Sequence, residues 1–176
     1  MGKGMRPCFG CGAVVPDVDG PTHRYIGASP GCWRLYGEVL GREYADYSRF
    51  ALVHRLTVDA YAAQHPGTPS PQSTGSVGVH LVRLHLELEC NLPHDRANEA
   101  MLDISSRLKR DFVWLDPPAS LGDVTVLDVL GARDPEEHAE RVRRWAASVW
   151  EAWAPHHETV RRWAVREGYP KIARGR

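Results

Sequence analysis

The sequence lacks a net charge. Its 22 Lys and Arg are matched by 22 Asp and Glu over 176 residues, so no overall field draws it to nucleic acid or to an anionic membrane. It also lacks an apolar run of the ~18 residues that a bilayer span needs. The start, Met1 to Pro7, has no apolar core of a signal peptide, and a cytoplasmic location is expected. Neither a membrane nor a nucleic acid is an expected partner. Gly-rich phosphate loops, Gly-x-Ser-x-Gly elbows, paired-carboxylate motifs and internal repeats are all missing. Cysteine is sparse, with four residues. Without an export signal these read as thiols or metal ligands rather than as a disulfide framework.

What is present is a sharp change of texture near residue 32. Residues 6 to 31 hold Pro7, Gly10, Gly12, Pro16, Gly20, Pro21, Gly27, Pro30 and Gly31, a density of breakers that excludes long regular elements. After it, apolar residues recur at helical spacing. Leu35, Val39 and Ala45 mark a helix over about 32–46, and Phe50, Val53, Leu56, Ala60 and Tyr61 mark one over about 49–65, stopped by Pro66-Gly67. A surface loop is expected over 66–74. Val79 to Leu88 reads as a helix by its length, and Asp95 caps another carrying Ala97, Met101, Ile104 and Leu108. Residues 112–130 should be extended, with a short turn around 124–130. Asp134-Pro135-Glu136-Glu137 starts a long helix striped by His138, Val142, Trp145, Val149 and Ala152, broken at Pro155 and resumed to Gly168. The expected fold is mainly α: one helical bundle over 1–170 with an irregular N-terminal zinc-knuckle arm (1–31), helices over 32–167, and a tail over 171–176.

Cys8-Phe9-Gly10-Cys11-Gly12 is a knuckle sequence in which two thiolates converge on one ion and glycines let the backbone turn. A structural zinc site is closed by four ligands. Cys32, where the arm meets the first helix, is the third. Two helices joined by a few residues run antiparallel, which places the end of the second beside the start of the first. His65 is then near Cys32, whereas His54 lies 11 residues, or roughly 16 Å, away. The expected set is Cys8, Cys11, Cys32 and His65, with His23 the substitute for His65. The ion would supply folding free energy that the arm's few apolar residues cannot. Alternative readings are inert buried cysteines or a Cys8–Cys11 redox pair; Cys90 is expected to be buried.

Several stretches together resemble an uncharacterised bacterial family, a domain of unknown function. They are Cys8-x-x-Cys11-Gly12, the helix-opening Cys32, His54-Arg55-Leu56-Thr57-Val58, Tyr61-x-x-Gln64-His65-Pro66, Thr125 to Val129, and Arg141 to Ala146. The resemblance covers most of the chain. It implies that Cys8, Cys11, Cys32 and His65 sit at recurring positions, and it implies no activity.

Two functions of different class follow. One is a zinc-stabilised interaction, adaptor or regulatory domain, meeting a protein partner through a surface around His54, Tyr61 and Gln64 or through the helix bearing Trp145, Trp150, Trp153 and Trp163. The other is a metal-dependent hydrolase or transferase with a histidine site among His54, Asp59, His80, His85, His156 and His157. Helical spacing disfavours the second: five residues separate His80 from His85 by about 140°, and His156 from His157 by about 100°. Asp59 is expected to pair with Arg55 at i,i+4. The basic residues after 160 (Arg161, Arg162, Arg166, Lys171, Arg174, Arg176) complement a helix C-terminus.

Overall fold

A computed structural model describes residues 4–107 and 111–166. Leu108, the Gly168 stop, the tail and the basic residues Lys171, Arg174 and Arg176 lie outside the described residues. The protein is mainly α, with seven α-helices and one two-stranded sheet among those residues. In the arm, β1 (Met5–Pro7) and β2 (Val14–Pro16) pair antiparallel with Arg6 opposite Val15. The knuckle is therefore the loop of a short hairpin whose strands have three residues each, in keeping with a breaker density that excludes long regular elements.

Helix α1 (Pro30–Ala45) starts two residues earlier than its apolar pattern does. Pro30 fits the first turn, where no intrahelical N–H bond is lost, and the Ser29 hydroxyl caps the Cys32 N–H at 3.4 Å. Helix α2 (Tyr47–Gln64) follows after the single residue Asp46, so the two are antiparallel neighbours. Helix α3 (Pro71–Leu84) begins inside the stretch read as loop, because Ser70 caps Ser73 N–H at 3.0 Å and Pro71 opens the first turn. It runs into a π-helical turn, His85–Glu89. Helix α4 covers His94–Arg107 and the short α5 covers Val126–Leu130, opened by a Thr125/Asp128 capping box. Helix α6 (Pro135–Ala152) has the Asp134 cap on Glu137 N–H at 2.8 Å. Pro155 interrupts it through a 3-10 turn, Ala154–His156, before α7 (His157–Arg166).

The central helix is α2, which packs against α1, α3 and α6. Trp145 and Trp153 of the C-terminal region are fully buried and Trp150 and Trp163 nearly so; they form core rather than a partner surface. Two of them also fix the end of α2. The Trp145 indole N–H donates to Gln64 Oε1 at 2.9 Å, and the Trp153 N–H donates to Ala63 O at 3.0 Å. The Gln64 amide donates in turn to Leu121 O and Val124 O at 3.1 and 2.9 Å. These bonds set the position of the next residue, His65. No described helix is long and apolar enough to cross a membrane.

Candidate metal centre

Four side chains from three parts of the chain meet at the open end of the α1–α2 hairpin, opposite the Asp46 turn. Cys8 and Cys11 come from the knuckle, Cys32 from the first turn of α1, and His65 from the residue after α2. Their donor atoms all lie within 4.8 Å of one another. His65 Nε2 is 3.7 Å from Cys8 Sγ and 3.5 Å from Cys32 Sγ, and Cys11 Sγ is 3.9 Å from Cys32 Sγ. No disulfide forms among the described cysteines. Cys8, Cys32 and His65 are buried, and Cys11 is half-buried. The cluster could hold a metal ion.

The surroundings prepare each donor. His65 Nδ1 donates to Tyr61 O at 2.8 Å, so the lone pair faces the sulfurs from Nε2. The Ser29 N–H points at Cys8 Sγ at 3.4 Å and the Tyr61 hydroxyl at Cys32 Sγ at 3.6 Å. In the knuckle, Gly12 N–H closes a turn on Cys8 O at 2.8 Å, and Gly12 adopts φ +76°, which favours glycine. A side chain at Gly10 would collide with Gly27 O and with the His65 ring. Two of the knuckle glycines are thus required by the geometry.

Charge follows the sulfurs. Contacts with Cys11 and Cys32 hold the Cys8 thiol far below its ordinary value, while the same crowding around Cys11 and Cys8 pushes Cys32 far up. Burial works against a charged His65, but its contacts with Cys11 and Cys8 outweigh it and lift the ring to about 9. Without an ion the cluster therefore retains protons, and binding a metal must release them.

His23 is not one of the converging donors. Its ring lies against Tyr25 and Trp33, with centroids 4.4 and 5.4 Å away, which leaves His65 as the histidine at the sulfurs. The other histidines disperse, each with its own partner. His54 Nδ1 bonds Glu43 at 2.7 Å, His80 Nδ1 bonds Asp59 at 2.7 Å, and His85 Nδ1 bonds Glu89 at 2.8 Å. His156 and His157 bond the carbonyls of Asp116 and Trp150, each at 2.8 Å. Among the described residues no second group of three ligands converges. Cys90 is half-buried and 3.5 Å from His85 Nε2.

Two sequence readings need correction, and one residue was missed. His54, Tyr61 and Gln64 are buried, so they form no exposed surface. Asp59 is also fully buried and pairs with Arg83 and His80 instead of the exposed Arg55, because α3 rather than solvent covers that face of α2. Glu43, not singled out from the sequence, accepts from His54, from Thr57 Oγ1 at 2.5 Å and from His138 Nε2 at 2.8 Å. Its position i+4 after the apolar Val39 on the buried face of α1 was the available signal.

Fold and site together describe a mainly helical protein with a buried cluster of three cysteines and one histidine. The chain belongs to the family described as Family of unknown function (DUF5946), whose model matches residues 6–154. No curated protein and no solved structure is similar enough to the chain to count as a match.

Proposed function

We propose that the cluster is a structural zinc site and that the protein is a zinc-stabilised helical interaction, adaptor or regulatory domain of the cytoplasm. The observation that carries the reading is the donor spacing. Zn–S near 2.3 Å and Zn–N near 2.0–2.1 Å in a tetrahedron require S···S of about 3.8 Å and S···N of about 3.6 Å. The spacings found, 3.9 Å for Cys11–Cys32 and 3.7 and 3.5 Å for His65 with Cys8 and Cys32, fit that ion.

Four protein donors leave no coordination position for water or substrate, which separates this arrangement from catalytic zinc with three ligands. The ion ties the arm to the end of the α1–α2 hairpin; function is then exercised by the surface that this staple holds in place. Phe9, between the two knuckle cysteines, is 69% exposed and offers an apolar contact that a protein partner would cover.

Cobalt substitution separates this reading from that of a metal-dependent enzyme. The Co(II) protein should show strong tetrahedral d–d bands and sulfur-to-cobalt charge transfer, unchanged by azide. A weak five- or six-coordinate spectrum, or bands that shift with azide, would show an open position and overturn the structural assignment.

A further inference from the structure

A second polar site lies apart from the sulfurs, between the arm and α3. Two hollows share Tyr25, Ser76 and His80. The smaller one, about 180 Å³, is walled by His23, Trp33, Tyr36 and Tyr61, and the larger one, about 480 Å³, by Gln72, Val79 and Met101. Among the described residues none of the lining side chains is Lys, Arg, Asp or Glu. The larger hollow by itself is in the range of small-molecule sites.

Two imidazole nitrogens on residues that line this space have no hydrogen-bond partner among the described residues. The first is His80 Nε2. His80 Nδ1 donates to Asp59 Oδ1 at 2.7 Å, and Arg83 holds the other oxygen of that buried carboxylate. The ring's orientation is thus fixed through Nδ1, which leaves Nε2 as the acceptor of a residue that lines both hollows. The second is His23 Nδ1, which is buried and makes no hydrogen bond. A buried polar atom left dry is destabilising, and a ligand or water that pairs with it removes that cost. Ser76 precedes His80 by one helical turn, on the same face of α3.

We propose that this cavity binds a small uncharged aromatic molecule carrying a hydroxyl or N–H group. The donor meets His80 Nε2, the ring lies among Tyr25, Trp33 and Tyr61, and His23 Nδ1 provides a second polar contact. The absence of charged lining selects against anions and cations, whose desolvation nothing here would offset. The inference is independent of the metal's role.

The test uses the metal-loaded full chain with isotope-labelled histidine, titrated with phenol, toluene and benzoate. Phenol should shift the His80 Nε2 resonance and the Trp33 indole signal saturably. Toluene, the same body without the donor, should bind about tenfold more weakly, as expected for one lost hydrogen bond, and benzoate should not saturate. His80→Gln should weaken phenol about tenfold with metal content unchanged, and Ser76→Phe, which fills the shared wall, should abolish binding. No saturable shift with phenol, equal affinity for toluene, or full affinity in a folded His80→Gln protein would each overturn the proposal. Should His80→Gln fail to fold, the phenol–toluene comparison on the unaltered chain still decides.

Discussion

Tyr61 is the residue through which the metal cluster and the core are joined. Its carbonyl fixes the His65 tautomer, its hydroxyl reaches Cys32 Sγ, and its ring stacks on Tyr36 at 3.8 Å. Tyr61→Phe keeps the carbonyl and the stack and removes only the hydroxyl. Loss of such an outer contact typically costs 10–100-fold in metal affinity. The protein should stay folded and release its ion to a chromogenic chelator at least about tenfold faster. Release at the native rate would mean that the hydroxyl does not support the site.

Glu43 sits at the far end of the same hairpin. Burial raises its carboxyl, but donors from His138, His54 and Thr57 outweigh that and hold it below its ordinary 4.5. A carboxylate with a depressed value in the fold contributes stability above the unfolded pKa and loses it as pH falls through the folded one. Stability of the native chain should therefore fall as pH drops below about 4.5. Glu43→Gln should destabilise by about 3 kcal/mol at neutral pH, since it leaves buried donors imperfectly paired. Its acid profile should be shallower, with metal content unchanged; denaturant titrations at several pH values check both.

At the scale of elements, capping decides where the chain turns. Ser70, Thr125 and Asp134 each bond an N–H in the first turn of the helix they open. Asp134→Ala should cost about 1 kcal/mol, read as a lower Tm with the metal retained, because α6 stays anchored by Trp145. The Asp134 start was legible in the sequence since cap, proline and acids coincide there. The start of α3 was not: Ser and Pro are loop residues and cap residues alike, and only the covering of Val77, Leu81 and Leu84 by neighbours selects the helix. The same limit applies to the polar side chains of α2. Helical spacing places His54, Asp59 and Gln64 at angles around the axis, but α2 is enclosed by α1, α3 and α6, so most of its faces are interior. A helix with polar residues all round reads as exposed until its neighbours are known. The four-donor cluster, by contrast, followed from local facts: a two-residue knuckle, a cysteine in the first turn of a helix, and a hairpin too short to be anything but antiparallel.

For the whole molecule, a structural ion at the cluster would make the arm the part whose folding depends on it. Buried Cys8, Val15 and Ala28 join it to the core, but its strands have three residues each, too few to be stable alone. Because protons compete with the ion at Cys32, whose thiol is pushed up, and at His65, lifted to about 9, metal should be lost progressively as pH falls. Mass spectrometry under non-denaturing conditions should show the metal-bound mass fading as the pH is lowered, before the helices unfold. Retention of the ion down to the pH of global unfolding would contradict this coupling.

If Cys8, Cys11, Cys32 and His65 hold one structural zinc ion, elemental analysis of the purified chain should find one zinc per chain. Cys32→Ser and His65→Ala should each retain little metal and lose folded signal by circular dichroism. A native chain without zinc, or variants that fold fully and keep it, would contradict the zinc assignment.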